Sequence, residues 1–401
     1  MGLNSPLRIA LVRARKRNAC ALGQGIGPPL GLMSIASYAR NIFEGAIKIG
    51  IHDTYFFSIE ETAKWLRRFA PHIVGISGVT AESDGIREIA RLCRTLFGAS
   101  VKVWVGGPHA SSYPELCLKE YGADGVICGE GEVPFTELIE EELGRRKSGT
   151  ARGIVRSAPD STFSSTDAPP PLNLDKVPLP AYDLIDLRLY SLVPNTVATI
   201  VLPPHHYAPL FISRGSSFKC TFCHNIFGKK FRIPSVDDAI AHIRYLRDYY
   251  QISNFHIYDD ILYANRGFFT KFLDEVVRQN LNVKLYFVNG LRFDTFHKDD
   301  ILAKKEAVVY VAGAIGTASS RLQKKIKKFV LIERALENIT LTDAAGIFSN
   351  GFHDAWVSDG NSSGNGRDCQ MCGRITASLC VFFYLEPLFR ERKLLGRSGF
   401  D

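Results

Sequence analysis

The sequence predicts an α/β protein of two domains, a flavodoxin-like doubly wound domain followed by a partial (β/α) TIM-type barrel. Three observations carry this. Short apolar runs at residues 7–12, 46–52, 73–77, 101–105 and 125–128 alternate with amphipathic stretches, which is the pattern of βα units and a parallel sheet. The same alternation returns after residue 190. Between the two lies a stretch, 146–190, of turn-forming and proline-rich composition. The expected organisation is therefore a first domain over 1–145, a Pro/Ser-rich linker over 146–190 and a second domain over 191–401. A chain of 401 residues, 46% hydrophobic and 22% charged, is long enough for two cores.

In the first domain the segment Ser83–Phe97 shows the helical period directly, with Ile86, Ile89, Leu92 and Leu96 on one face. Ligands of doubly wound sheets bind at the carboxyl ends of the strands. Small residues crowd that edge: Gly25-Ile26-Gly27-Pro28-Pro29-Leu30-Gly31 after the first strand, Ser77-Gly78-Val79-Thr80 after the third, Gly106-Gly107-Pro108-His109 after the fourth and Gly129-Glu130-Gly131-Glu132 after the fifth. Any one such loop is an ordinary tight turn. Four on one edge point to a large flat ligand approached closely by backbone.

In the linker, Pro169-Pro170-Pro171 and the Val177-Pro178-Leu179-Pro180 run favour extended chain. The second domain opens on the apolar run Leu210-Phe211-Ile212, read as a strand with Pro209 at its start. It delivers Ser213-Arg214-Gly215-Ser216-Ser217-Phe218-Lys219-Cys220-Thr221-Phe222-Cys223 to a loop. Paired thiols at this spacing suit a soft metal or an iron–sulfur cluster, and equally a redox loop or a zinc knuckle. Ser235 with Asp237 and Asp238 reads as a helix start, with Ile240, Ile243, Leu246 and Tyr250 on one face. A strand over 254–258 ends in Asp259-Asp260, a helix spans 268–279, and a strand over 283–288 precedes a loop carrying Arg292 and Asp294. A strand over 308–315 and a helix over 332–345 follow. Chemistry in such barrels sits at the carboxyl ends of the strands.

The net charge of +8 is scattered. Its tightest cluster, Lys324, Lys325, Lys327 and Lys328, is expected to be a solvated helix face, and no nucleic-acid partner is expected. No apolar run is long enough to span a membrane. The first residues carry neither a charged-then-apolar leader pattern nor a complete myristoylation motif, since Pro6 stands where Ser or Thr is needed. Nine cysteines then suggest reduced thiols or metal ligands in the cytoplasm.

The order of the first-domain loops resembles the cobalamin-binding domain that precedes radical S-adenosylmethionine (radical SAM) enzymes. The resemblance covers about residues 7–140 and rests on the Pro-Pro-Leu-Gly ending at Gly31, the Val-Gly-Ile-Ser ending at Ser77, the Gly-Gly-Pro-His ending at His109 and the Gly-Glu-Gly-Glu ending at Glu132. It implies cobalamin held by Pro29, Leu30, Gly31, Ser77, Thr80, Gly106, Gly107, His109, Gly129, Glu130 and Gly131. The Asp-x-His-x-x-Gly signature that offers a histidine to cobalt is missing, so His109 is expected to position its loop.

The stretch from Ser213 to Cys223 resembles the radical SAM motif Ser-Arg-Gly-Cys-Pro-Phe-Lys-Cys-Thr-Phe-Cys. The resemblance implies a 4Fe-4S cluster held at Ser216, Cys220 and Cys223, with S-adenosylmethionine on the open iron and Asp260 and Arg292 nearby. It further implies a 5′-deoxyadenosyl radical that activates a carbon for methylation, cyclisation or rearrangement. Its expected partners are a small-molecule substrate and an electron donor such as flavodoxin or ferredoxin.

The sequence departs from that pattern in three places. Ser216 stands where the first cysteine belongs, and a hydroxyl is a harder, far less acidic ligand than a thiol. Gly316, in Ala314-Ile315-Gly316-Thr317-Ala318-Ser319, stands where the family has a glutamate that helps hold S-adenosylmethionine. Residues 353–379 and those after Pro387 have loop composition where the family has strand and helix, which suggests a gene read out of frame there. Cys369 and Cys372 in that segment form a second CxxC pair. The alternatives are therefore a catalytically impaired relative that binds cobalamin alone, or a zinc or redox-thiol protein using both cysteine pairs.

Overall fold

A computed structural model describes residues 5–15, 27–158, 162–192, 195–197, 200–202, 205–221, 223–295, 297–354 and 379–383. The chain divides into two compact units. The first comprises residues 1–196, 201–206 and 224–228, and the second the remainder.

The first unit is built on strands β1 (Leu7–Arg13), β2 (Ile47–Asp53), β3 (Ile73–Ser77), β4 (Lys102–Gly106), β5 (Gly125–Ile127), β6 (Ile154–Ser157) and β7 (Phe163–Ser165). They form one sheet in the order β2-β1-β3-β4-β5-β6-β7, parallel through β5. The order 2-1-3-4-5 is the flavodoxin-like one expected, with its switch point between β1 and β3. Because side chains alternate along a strand, both faces are apolar. Ala10, Val12, Val103, Val105 and Val126 pack under the helices Ile59–Phe69, Ser83–Phe97 and Pro114–Tyr121. Ile9, Leu11, Trp104 and Ile127 pack under Leu30–Ile42 and Glu132–Glu142. The helix Ile59–Phe69 starts in a full capping box, with Ser58 accepting from the Glu61 amide and Glu61 accepting from the Ser58 amide.

Residues 146–190, expected as a linker, differ from that expectation. β6 and β7 extend the sheet antiparallel beyond β5. Ala151, Ile154 and Ala181 are buried in the same core as Leu7 and Phe135. Arg152 and Arg146 reach Glu137, and Arg156 reaches Glu141 at 2.8 Å, tying the segment to the helix Glu132–Glu142. The prolines fix extended chain, but that chain lies on the first unit. Short strands β8 (Asn195–Val197) and β9 (Ile200–Leu202) form a separate two-stranded sheet.

The second unit is a six-stranded parallel sheet in sequential order: β10 (Tyr207–Leu210), β11 (Asn254–Ile257), β12 (Lys284–Leu291), β13 (Val308–Gly316), β14 (Phe348–Asp354) and β15 (Leu379–Phe383). Helices Val236–Tyr250, Arg266–Arg278, Lys298–Leu302, Ser320–Lys325 and Ile332–Ala344 connect its strands. Sequential βα order in one parallel sheet is that of a partial barrel. β10 lies three residues earlier than the sequence suggested. It is an edge strand, where Pro209 needs no ladder donor, and all four of its residues are buried. It stops at Leu210 because the next amides, Ile212 and Ser213, bond to the Asp259 carboxylate instead of a neighbouring strand. Within 353–379, only the end of β14 and the first residue of β15 are described. Cys369, Cys372 and the residues after Phe383 lie outside the described residues.

Candidate functional site

At the carboxyl edge of the first sheet, the glycine-bearing loops emerge where expected. Pro29 is the N-cap of the helix Leu30–Ile42, and Gly31 is exposed, with open space where a Cβ would stand. Gly106 ends β4, and Gly107 takes φ +86°; a Cβ there would lie 2.5 Å from Ser77 Oγ. The left-handed φ favours glycine at this turn, and the missing Cβ leaves the Ser77 hydroxyl its place. His109 is buried, its Nε2 3.0 Å from Tyr121 Oη and its Nδ1 3.4 Å from Thr80 Oγ1. Burial pushes its pKa down, so it is a neutral ring held by two hydroxyls. Gly129 donates to Ser111 Oγ at 3.0 Å, and Gly131 caps the helix Glu132–Glu142. Ser34 Oγ donates to buried Glu132 at 2.7 Å, fastening the helix after β1 to the helix after β5.

The switch point holds a charged group that the sequence reading missed. Arg13, the last residue of β1, lies 3.3 Å from Asp53 and 3.8 Å from Glu82 and bonds the Gly27 carbonyl. Its guanidinium lies 4.4 Å from the centre of the Tyr55 ring, and Tyr55 and Tyr190 donate to Glu82 (2.7 Å) and Asp53 (2.6 Å). The sequence signal was an arginine ending an apolar strand.

In the second unit the loop after β10 carries the two thiols. Cys220 is half-buried and Cys223 exposed. The Cys220 thiol is pushed down to about 6, first by a hydrogen bond from Cys223 and then by the charges of Lys328 and Arg292, against the opposing effect of burial. The Cys223 thiol moves up because it is the donor. Ser216 Oγ accepts from the Phe218 amide at 3.3 Å. Arg292 lies 4.4 Å from the centre of the Phe218 ring. Its donors go to Asp294 (2.8 and 3.1 Å) and to the carbonyls of Lys328 and Phe329 (3.0 Å each). Arg292 thus braces the loop. Asp260 is half-buried, whereas its neighbour Asp259, fully buried, accepts from Ile212 N and from the amide and hydroxyl of Ser213. Burial raises the Asp259 carboxyl to about 6 against those hydrogen bonds.

The lysine cluster corrects one expectation. Lys324, Lys325 and Lys327 are exposed, but Lys328 is buried and packs over Gly316. A Cβ on Gly316 would meet Lys328 Cδ at 3.1 Å and Nζ at 3.2 Å. Gly316 itself takes φ +84° beside a register shift between β13 and β14. The space beside Gly316 therefore holds a lysine stem.

The sequence reading also missed a polar ladder along one face of the second sheet. Tyr207 stacks on buried His256 at 4.3 Å, and His256 contacts Tyr286 at 4.8 Å. Tyr286 is in register with Tyr310. Its signal was a single Tyr or His in each of four successive strands.

Residues 19–139 match the B12 binding domain family. The N-terminal unit is of the B12-binding type. An uncharacterized methyltransferase of Pyrococcus horikoshii is 28% identical over 334 residues, 81% of this chain and 68% of that protein. The cytidylyl-2-hydroxyethylphosphonate methyltransferase of Streptomyces wedmorensis is 28% identical over 335 residues, 74% of this chain and 60% of that protein. Among solved structures, the cobalamin-dependent S-adenosylmethionine radical enzyme OxsB superposes with a TM-score of 0.77 at 16% identity, over 98% of this chain. The radical S-adenosylmethionine methyltransferase TsrM from Kitasatospora setae superposes with 0.74 at 15% identity, over 94% of this chain and 72% of its own. The chain spans 55% of the length of OxsB. The chain thus shares its fold with these cobalamin-dependent S-adenosylmethionine radical enzymes, and the curated proteins it resembles include methyltransferases and cyclases.

The two loop clusters fit the groups that the sequence resemblance implies unequally. At the carboxyl edge of the first sheet Gly31 has open space around it, and both nitrogens of His109 have hydroxyl partners, so a corrin would find close backbone there but no free imidazole. The loop after β10 offers two thiols and a serine. Among the described residues no three His, Cys, Asp or Glu side chains gather where they could hold a metal ion. The residues described there do not fit a cluster held by three thiolates.

Proposed function

We propose that this chain is a cobalamin-binding protein of the radical SAM methyltransferase type whose cluster loop lacks one ligand, so that it holds cobalamin but does not cleave S-adenosylmethionine as it stands. The observation that carries this is the pairing of Cys220 and Cys223 with a serine, not a third thiol, at position 216. Cobalamin would rest on Pro29, Leu30, Gly31, Ser77, Thr80, Gly106, Gly107, Gly129, Glu130 and Gly131, with His109 positioning its loop; bound there it would supply methyl-transfer chemistry. Asp260 and Arg292 belong to the second unit's site, Arg292 as a brace because its donors are engaged by Asp294 and two carbonyls. A small-molecule substrate and a flavodoxin- or ferredoxin-like reductant would be needed only under the second reading, that of an active radical enzyme.

The test is anaerobic reconstitution of the native protein and Ser216→Cys with iron, sulfide and cobalamin, followed by reduction and assay of 5′-deoxyadenosine from S-adenosylmethionine. The native protein is expected to retain cobalamin and release no 5′-deoxyadenosine, whereas Ser216→Cys gains iron–sulfur absorbance. Native turnover would overturn the reading. It would favour the second one, an active radical enzyme, which draws on the low Cys220 pKa beside Lys328 and Arg292. Loss of cobalamin by both proteins would overturn both readings.

A further inference from the structure

Two of the glycine-bearing loops at the edge of the first sheet are tied to one side chain. Arg13 ends β1, and its main chain is fixed on both sides. The amide and hydroxyl of Thr54 donate to its carbonyl at 3.2 and 2.8 Å, and the next amide, that of Ala14, donates to the Ser77 carbonyl at 2.9 Å. From that anchor the guanidinium reaches two ways. Its Nη1 donates to the Gly27 carbonyl, at the head of Pro28-Pro29-Leu30-Gly31. Its Nη2 lies 3.8 Å from the Glu82 carboxylate, which accepts from the Val79 amide at 2.7 Å, inside Ser77-Gly78-Val79-Thr80. Tyr55 closes this side, with its ring 4.4 Å from the guanidinium and its hydroxyl donating to Glu82 at 2.7 Å.

The arrangement is stiff for three reasons. Asp53 and Glu82 are both buried, and Arg13 lies between them, so moving the guanidinium away would strand two buried charges. The guanidinium is a planar fork whose donors keep a fixed geometry, unlike an ammonium on a flexible stem. Gly78 lets the carboxylate in under the loop, since a Cβ there would stand 3.0 Å from Glu82 Oε2. Loops held in place before a ligand arrives lose less freedom on binding, which tightens binding without any new contact. The cluster also has a limb that meets neither loop. Asp53, at the end of β2, lies 3.3 Å from Arg13 and accepts from Tyr190 Oη at 2.6 Å.

We propose that Arg13 is a positioning residue of the cobalamin site: through the Gly27 carbonyl and through Glu82 it sets the spacing between the loop after β1 and the loop after β3. This role rests on the cobalamin reading above, and two readouts on the full chain separate them. Hydrogen–deuterium exchange without cobalamin reads the clasp. Arg13→Lys is expected to speed exchange in peptides covering 27–33 and 77–82, and Asp53→Asn to leave both unchanged. Titration with hydroxocobalamin, followed by visible absorption, reads the consequence. Arg13→Lys and Glu82→Gln should bind about tenfold more weakly than the native chain, and Asp53→Asn within about twofold of it. Thermal unfolding accompanies each variant, so that Asp53→Asn is the control for stability lost from the same cluster. Equal weakening by Asp53→Asn and Glu82→Gln would overturn the proposal, because the cluster would then act through stability alone. Native affinity in Arg13→Lys, or unchanged exchange in its two loops, would overturn it as well while leaving the cobalamin reading in place. A native chain that takes up no cobalamin would sink that reading, and the role of Arg13 with it, whatever the exchange shows. If Arg13→Lys does not fold, Glu82→Gln against Asp53→Asn gives the same comparison in both readouts.

Discussion

At the scale of single residues, two buried groups set measurable consequences. Asp259 joins the end of β11 to the first amides of the cysteine loop. Asp259→Ala leaves those amides buried without an acceptor and is expected to cost about 3 kcal/mol, with Asp259→Asn costing less because one acceptor oxygen remains. Chemical denaturation of both variants checks this. His52 is buried between Phe57 and Trp65 and its pKa falls from 6.5 to about 4, chiefly through desolvation. A histidine depressed in the folded state takes up its proton first in the unfolded chain. Stability is therefore lost as pH falls from about 6.5 towards 4, by at most about 3 kcal/mol. Asp259 acts with the opposite sign, because its raised carboxyl loses stability as pH rises from 3.8 through about 6. The His52 contribution is thus read as the difference in pH dependence between the native chain and His52→Phe, and equal pH profiles would refute it.

At the scale of elements, close backbone approach competes with propensity. Gly85 lies inside the helix Ser83–Phe97, where alanine would ordinarily be better by about 1 kcal/mol. A Cβ there would stand 2.1 Å from the Arg15 carbonyl oxygen. The obstacle is backbone, so the chain leaving β1 must shift. Gly85→Ala is expected to destabilise the protein, by about 1–3 kcal/mol, in spite of its helix propensity. A rise in the thermal midpoint would show instead that the β1 exit gives way freely. Gly107 differs: the atom its Cβ would meet is the Ser77 hydroxyl, and its φ of +86° is what favours glycine there.

At the scale of the whole molecule, the extent of the first unit is the testable matter. Its core draws on Ala151, Ile154 and Ala181, and its helix Glu132–Glu142 on Arg152 and Arg156. A fragment ending at residue 192 is expected to unfold cooperatively and retain cobalamin. One ending at residue 145 exposes the edge of β5 and strips Glu137 and Glu141 of these partners, so it should lose several kcal/mol or aggregate. Equal stability of the two fragments by thermal unfolding would return residues 146–190 to the status of linker. Among the described residues no helix is long and apolar enough to cross a membrane.

The sequence by itself determined the α/β class, the strand and helix periods and the order of the glycine-bearing loops, because alternation and turn chemistry are local properties. It also located Cys220, Cys223 and the serine between them and β10. Tertiary structure alone decided the rest. Arg13 meets Asp53 and Glu82 because β1 lies between β2 and β3. Lys328, read as solvated from its lysine-rich neighbourhood, is buried because Gly316 leaves room for its stem. Residues 146–190 belong to the first unit because the free edge of β5 accepts another strand, a pairing between segments whose local composition says only turn and extended chain. Contacts between residues far apart in the chain depend on which elements become neighbours, and no window of sequence contains that information.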